Sequence, residues 1–165
     1  MTLFHKVFPH PVLSLSLVVI WVLLVNTVTL NAVVFGAILG LVLPQLTRAY
    51  WPNAPRLRSP LRIAGYVLVV LWDIVVANVE VALIILFKPE AARRPNWVTI
   101  PLELRSPEAI TVLAGTITMT PGTVSCDLAE NGHAILVHCL HAPDPDAVRD
   151  QIKHRYERRL KEIFE

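Results

Sequence analysis

The chain has 165 residues, of which 54% are hydrophobic and 17% are charged, and its mean hydropathy is +0.53. These values lie above those of an ordinary soluble domain and below those of a bundle of membrane-spanning helices, so the chain is predicted to be part membrane protein and part soluble domain. The net charge of +2 comes from Lys and Arg residues interleaved with Asp and Glu, which excludes a nucleic-acid-binding protein.

Residues 1–47 are predicted to form an apolar helical hairpin. Segments 11–25 and 32–46 carry no charge, and the polar residues 26–31, NTVTLN, lie between them. The first segment would be about 22 Å long as a helix, which is less than the roughly 30 Å of a bilayer's hydrocarbon core. No small-residue cleavage site follows it, so we interpret it as retained rather than as a signal peptide. One kinked helix is the alternative to the hairpin.

Two glycines in the second apolar segment have the spacing of a helix contact. Gly36 and Gly40 are four residues apart, which allows a neighbouring helix to approach closely. The alternative is that both glycines face lipid and add only flexibility. A basic, interfacial linker is then predicted at 48–62, where arginines and aromatic residues are typical of the headgroup region. It leads to a third apolar segment at 63–88, a membrane or interfacial helix long enough to cross a bilayer with tilt.

Three polar residues, Asp73, Asn78 and Glu80, interrupt this third segment. At about 100° per residue the two carboxyls fall on one stripe with Tyr66 and Ala77, whereas Asn78 lies away from that stripe. A carboxyl in hydrocarbon costs several kcal/mol, so this face is expected to meet a protein partner, a water-filled cavity or the headgroup zone. Because the chain has no further apolar helix, we expect other subunits to cover the carboxyls. A proton-relay role is the alternative.

Residues 95–165 are predicted to form a small α+β domain with the order β-α-β-β-α. Alternation indicates a strand at 96–104, in which Pro101 favours a sheet edge. Ser106 is a candidate N-cap for a helix that continues to residue 118, and Asp144 is the candidate cap of the last helix. The predicted buried stripe of that last helix consists of Val148, Ile152, Tyr156, Leu160 and Ile163.

A turn and a β-hairpin are predicted between these two helices. The turn sequence is TPGT, formed by Thr120, Pro121, Gly122 and Thr123. Proline and glycine suit the two central positions of a type II turn, with the glycine at positive φ. The dipeptide Asn131-Gly132 lies between two alternating runs, which is the strongest short signal for a hairpin.

The hairpin pattern also predicts a register and the environment of both cysteines. The expected cross-strand pairs are Leu128 with Ile135, Cys126 with Val137, and Val124 with Cys139. All six side chains would face the core, and the two thiols would be too far apart for a disulfide. No C-x-x-C pair or repeated ligand spacing indicates zinc, and no nucleophile elbow or phosphate loop is present in the sequence. We expect no cofactor and no catalytic site in this chain.

Several runs of the sequence resemble one known family. They are NTVTLNAVVFGAILGLVLP, WDIVVANVEVALIILFKP and AGTITMTPGTVSCDL, the last followed by a hairpin and VHCLHA. Together they are similar to the E subunit of the multisubunit cation/proton antiporters called Mrp, Mnh or Pha, over nearly the whole chain. The most specific run is Thr116 to Thr123, TITMTPGT, which is close to that family's TLTPGT pattern.

The resemblance implies an accessory and assembly subunit of a bacterial inner-membrane antiporter that exchanges Na⁺ or K⁺ for H⁺. It implies the other antiporter subunits and membrane lipid as partners, with the coupling chemistry mainly in the large subunits. A stand-alone membrane-anchored binding or scaffold domain is the second hypothesis, and a membrane enzyme is the third. Co-purification with much larger membrane proteins would distinguish the first two.

The topology of the third apolar segment is ambiguous in the sequence. Positive flanks at 48–62 and 88–94 would lie on one side of the membrane by the positive-inside tendency, yet a spanning helix would place them on opposite sides. An oblique or interfacial segment reconciles the two flanks. Unpaired cysteines and the family resemblance both favour a cytoplasmic C-terminal domain.

Overall fold

The computed structural model describes residues 11–47 and 59–165 of the chain. It divides the chain into two compact units, Met1–Ala54 and Pro55–Glu165. Most of the predicted basic linker, residues 48–58, lies outside the described residues.

The N-terminal unit contains a helical hairpin. Helix α1 (Pro11–Val25) and helix α2 (Leu30–Thr47) are joined by a short loop in which Asn26 has a φ of 53°. Asparagine tolerates this left-handed conformation better than most residues, so it can end the first helix and reverse the chain. Thr29 begins the second helix, since its hydroxyl oxygen accepts the Ala32 N–H at 3.2 Å. Residues 11–47 thus form two apolar helices joined by a loop, as the hairpin interpretation expects and unlike one kinked helix, while residues 1–10 of the predicted hairpin lie outside the described residues.

Small residues close this hairpin. The buried residues of α2 are Ala32, Gly36, Gly40 and Pro44. A Cβ atom added to Gly40 would lie 2.7 Å from the Ser14 carbonyl oxygen, and one added to Gly36 would lie 3.2 Å from Cδ1 of Trp21. Both glycines therefore face α1: a Cβ atom at Gly40 would clash with its backbone, and one at Gly36 would make a tight contact with the Trp21 side chain.

The second unit begins with a long helix and continues into a small sheet covered by helices. Its elements are α3 (Pro60–Phe87), a 3₁₀ turn (Glu90–Ala92), β1 (Asn96–Pro101), α4 (Pro107–Met119), β2 (Thr123–Leu128), β3 (Ala134–Cys139), α5 (Pro145–Ile152), a π-helical turn (Lys153–Glu157) and α6 (Arg158–Phe164). The antiparallel sheet has the strand order β1-β3-β2, so β1 is an edge strand, as Pro101 predicts. Ser106 caps α4 and Asp144 caps α5 through hydrogen bonds from backbone N–H groups.

One hydrophobic core joins the helices of this unit with strands β1 and β3. Its members include Ile100 on β1, Leu113 on α4, Val137 on β3 and Leu160 on α6, each less than 2% exposed. Helix α3 contributes Tyr66 and Val70 to the same core. The third apolar segment is therefore packed as a structural part of the C-terminal unit along one of its faces.

The hairpin register departs from the prediction at Cys126. Leu128 lies opposite Ile135 as expected, but the other two predicted pairs, Cys126 with Val137 and Val124 with Cys139, are wrong. Val137 instead lies opposite Ser125, and Cys139 lies opposite Thr123. Cys126 is the extra residue of a β-bulge and is exposed, whereas Cys139 is buried as predicted.

Hydrogen bonds to α4 explain the shift. The Ser125 hydroxyl donates to the Ala114 carbonyl at 2.9 Å, and the Thr123 hydroxyl donates to the Ile117 carbonyl at 2.7 Å. These bonds satisfy helix carbonyls while turning the two polar side chains of the edge strand inward. Because Cys126 has no residue opposite it, the register shifts by one, and the pairs next to the Asn131-Gly132 turn form as predicted.

Helices α2 and α3 are long and apolar enough to cross a membrane by length and composition, and α1 is apolar but shorter. A helix that packs one face on protein and the other on lipid has the same length and composition as a helix that crosses the membrane.

Candidate functional site

A cleft of about 230 Å³ opens between α3 and the rest of the C-terminal unit. Asp73 and Glu80 on α3 line it, together with the 120–123 turn and Tyr156. The two most distinctive sequence features, the carboxyl stripe and TPGT, therefore meet at one place.

Asp73 is held by the C-terminal helices of its own chain. The Arg155 guanidinium donates from Nε to Oδ2 at 2.6 Å and from Nη2 to Oδ1, which is the two-pronged geometry that arginine forms with carboxylates. The Tyr156 hydroxyl donates to Oδ2 at 2.8 Å. The expectation that other subunits cover this carboxyl is wrong for Asp73, because α3 packs on residues about 80 positions later in the chain.

Tyr156 connects this ion pair to the core. Its ring lies edge-on to the Tyr66 ring with centroids 6.5 Å apart, and the Tyr66 hydroxyl is 2.7 Å from Oγ1 of Thr116 on α4. Burial, and then the neighbouring Asp73 carboxylate, raise the pKa of Tyr156 to about 12. The phenol is therefore protonated at neutral pH and remains a hydrogen-bond donor to Asp73.

A π-helical turn presents these partners. Residues 153–157 form it, and the wider turn allows both Tyr156 and Glu157 to point inward. The Glu157 carboxylate accepts backbone N–H groups from Glu103 at 2.6 Å and Leu104 at 3.3 Å, and Lys153 donates to it at 2.9 Å. The predicted apolar stripe of this helix is buried from Ile152 onward, but Glu157 was not expected beside it.

The TPGT turn has the predicted form. Gly122 has a φ of +90°, and the Thr123 N–H donates to the Thr120 carbonyl at 3.3 Å. The Gly122 carbonyl accepts the N–H of Leu140 at 2.8 Å, which ties the turn to the end of β3. A Cβ atom on Gly122 would lie 2.9 Å from Cγ2 of Val81 on α3. The glycine thus meets two needs, a positive φ and close contact with α3.

The three predicted polar residues of α3 have different environments. Asp73 is paired, with a side chain 12% exposed. Glu80 is exposed at the cleft and forms no ion pair within residues 11–47 and 59–165. Asn78 lies outside the cleft, and its amide donates to the Ile74 carbonyl of the same helix at 2.7 Å.

Both ends of α3 are also held by the C-terminal unit. Near its start, Arg62 donates to the Glu162 carbonyl at 3.0 Å. At its end, Lys88 Nζ lies 2.7 Å from Nε2 of His141, whose Nδ1 accepts the Arg94 N–H at 3.1 Å. Together with the central ion pair, these contacts hold the helix along its whole length. Sequence reasoning missed them, because each joins residues far apart in the chain.

The arrangement has the chemistry of a structural clasp. A carboxylate that already accepts three hydrogen bonds from a guanidinium and a phenol is stabilised in its ionised form and has little capacity left to act as a base. Glu80 is the carboxyl of this cleft that remains accessible.

Comparisons with known proteins give a consistent result. The model of a family described as Na⁺/H⁺ ion antiporter subunit matches residues 14–163. The E subunit of a probable K⁺/H⁺ antiporter from Rhizobium meliloti is 38% identical over 96% of this chain and 98% of its own length. The E1 subunit of a Na⁺/H⁺ antiporter from Staphylococcus epidermidis is 31% identical over 93% of this chain and 96% of its own length.

One solved structure shares the fold. A chain of the membrane-bound sulfane sulfur reductase, an archaeal respiratory membrane complex, is 23% identical and superposes with a TM-score of 0.73. The match covers 92% of the present chain and 96% of that chain.

Proposed function

The chain belongs to the Na⁺/H⁺ ion antiporter subunit family, and on that premise we propose that it is an accessory and assembly subunit of a multisubunit cation/proton antiporter in a bacterial cell membrane. The observation that carries this proposal is the extent of the family match, which covers both the hairpin and the C-terminal unit at residues 14–163. The chain is thus a transporter component rather than an enzyme.

The hairpin is suited to anchor the protein in the membrane. Residues 11–47 contain no Asp, Glu, Lys or Arg, and large apolar side chains such as Leu23, Leu24 and Ile38 are at least half exposed. Exposed apolar surface of this extent is expected where lipid or other membrane subunits replace water. The exposed Cys126 and buried Cys139 are unpaired, which favours a reducing, cytoplasmic location for the C-terminal unit.

We assign the Asp73 cluster a structural part in this role. Its ion pair and phenol hydrogen bond fix α3 to the C-terminal helices, and the TPGT turn closes against the same helix. The protein then offers its partners one rigid unit in place of a helix and a separate domain. In this proposal the carboxyl stripe supports assembly and does not conduct protons.

We propose that the choice of cation does not depend on this chain. A relative named for K⁺ and a relative named for Na⁺ align over 96% and 93% of the chain, respectively. The same chain architecture therefore accompanies both cations. We infer that the large subunits discriminate between them.

Affinity purification and transport assays test the proposal. A tagged copy expressed in place of the native chain should purify with much larger membrane proteins in fixed stoichiometry, and an unrelated tagged membrane protein is the control. Everted vesicles from cells lacking the chain should lose the collapse of the pH gradient that follows addition of NaCl or KCl, in proportion to the loss of intact complex. A chain that purifies alone, with exchange unaffected by its deletion, would instead indicate a stand-alone anchored domain.

A further inference from the structure

Helix α3 has a second, uncovered face opposite the cleft. We call it the outward face and define it by Leu61, Leu68, Trp72, Val75, Val79 and Leu86, each more than half exposed. At about 100° per residue these six positions fall on one stripe. The charged residues of α3 all lie on the other side, where Arg62 contacts α6 and Asp73 and Glu80 line the cleft.

The contacts of the inner face argue against a crossing orientation. They extend from Arg62 to Lys88, which is about 39 Å of helix and more than the roughly 30 Å of a hydrocarbon core. A crossing helix would carry the Asp73–Arg155 pair and the charged α5–α6 segment into hydrocarbon. Ionised groups and irregular backbone are strongly disfavoured there unless protein or water surrounds them.

We propose that α3 lies along the membrane surface, with its outward face in the lipid and the C-terminal unit on the aqueous side. This inference rests on the membrane location proposed above. The occupant of the outward face is phospholipid. Its stripe is aliphatic except for Trp72, an aromatic residue suited to the interface, and the adjacent Asn78 amide donates to its own helix. Such a surface offers few polar groups for specific recognition by a protein.

Charge at the two ends of α3 supports the same occupant. Arg62, which also contacts Glu162, lies at its start, and Lys88, Arg93 and Arg94 follow its end with one acidic residue, Glu90, among them. When the helix lies along the membrane surface, the cations at both of its ends can pair with anionic headgroups of the same leaflet. The in-plane orientation also removes the conflict between the two positive flanks.

A groove of about 600 Å³ beside α3 widens this lipid-facing surface. Val67 and Leu71 of α3 line it together with Val112 and Met119 of α4. Both α4 residues are exposed, so the apolar surface continues from one helix to the other. Acyl chains can fill such a groove without meeting a charged group.

Cysteine labelling in the assembled complex tests the orientation. Ser59→Cys and Glu90→Cys flank α3, and both are made in a Cys126→Ser background because Cys126 is exposed and Cys139 is buried. A membrane-impermeant maleimide should label both positions in everted vesicles and neither in right-side-out vesicles. Labelling of the two positions from opposite sides would overturn the proposal. Co-purification of the large subunits with the same variants reports separately on the proposed function.

Collision measurements identify the occupant. Nitroxide labels at Leu68→Cys, Val75→Cys and Leu86→Cys should collide with oxygen but not with an aqueous nickel chelate. The three labels should also lie at a similar depth in the membrane. Thr99→Cys on the exposed side of β1 is the control and should show strong nickel access. Low access to both quenchers, with immobilised spectra at the three outward positions, would indicate a protein partner and would refute lipid as the occupant.

Discussion

Neutralising Asp73 should loosen α3 from the C-terminal unit. In Asp73→Asn the side chain keeps its shape, and its carbonyl oxygen can still accept a hydrogen bond from Tyr156 or Arg155. The new amide group, however, places N–H donors against the guanidinium, so the two-pronged bond to Arg155 is lost. The Arg155 guanidinium then lacks the carboxylate that balances its charge beside the buried Tyr156 phenol.

The loss of unfolding free energy expected for Asp73→Asn lies between two limits. Removing one partner of a fully buried ion pair costs roughly 3–5 kcal/mol, whereas an exposed pair contributes about 0–1 kcal/mol. The Asp73 side chain is 12% exposed but that of Arg155 is 40% exposed, so water can rehydrate the guanidinium in the variant. We therefore expect a loss of about 1–2 kcal/mol. In a domain of this size that corresponds to about 4 °C or more in Tm.

A double-mutant cycle isolates the pair. Asp73→Asn, Arg155→Met and the double variant are compared by thermal unfolding of the full-length chain in detergent, followed by tryptophan fluorescence. The double variant should be less destabilised than the sum of the single variants by about 1–2 kcal/mol, because each single change already removes the interaction. Glu80→Gln is the matched control, since it neutralises an exposed carboxyl of the same helix and cleft and should leave Tm nearly unchanged.

Transport distinguishes a clasp from a proton path. If the carboxylate is structural, exchange in everted vesicles should fall only as far as the amount of intact complex falls. Additive single-variant effects would show that the pair contributes no coupling energy and that the clasp is wrongly assigned. Fully assembled Asp73→Asn complexes without exchange would place this carboxyl in the proton path instead.

Three further predictions concern other parts of the chain. Gly122→Ala and Gly132→Ala should each cost about 1–2 kcal/mol in backbone strain, because both glycines have positive φ. Gly122→Ala should lower Tm further than Gly132→Ala, because only a Cβ atom at Gly122 would clash with α3. Gly40→Leu should open the hairpin and reduce complex yield on a native gel while the C-terminal unit stays folded, whereas Gly65→Leu, at an open position, should not. Because folding raises the pKa of Tyr156 from about 10 to about 12, its contribution to stability is complete below pH 10 and is lost as pH rises toward 12; Tyr156→Phe should remove that late phenol ionisation from an ultraviolet titration.

Elements governed by local rules could be predicted from the sequence. Asn26 ends α1 because it tolerates a positive φ, and Ser106 caps α4 because its hydroxyl reaches the first turn. The 120–123 turn follows from the fixed φ of proline and the freedom of Gly122. Each of these features depends on residues within about four positions of one another, so the local sequence is enough to predict it.

The contacts that build the cleft depend on packing between distant segments. Asp73 and Arg155 are 82 positions apart, and the sequence contains no local signal that joins them. The bulge at Cys126 arises from hydrogen bonds between β2 and α4, so alternation alone gave the wrong register beyond it. Burial of Glu157 depends on a π-helical turn, which the regular helical spacing used for prediction does not contain.

The apolar character of α3 follows from the two environments that surround it. A helix that is hydrophobic all round must be buried all round, and the usual solutions are a protein core or a membrane crossing. In this chain Tyr66, Val70 and Ala77 enter or adjoin the protein core, whereas Val75 and Val79 point the opposite way. If lipid covers that opposite side, both faces leave water without a crossing. Asp73 then lies on the only side where an ionised group can find partners, which explains how an almost wholly apolar segment accommodates a carboxylate.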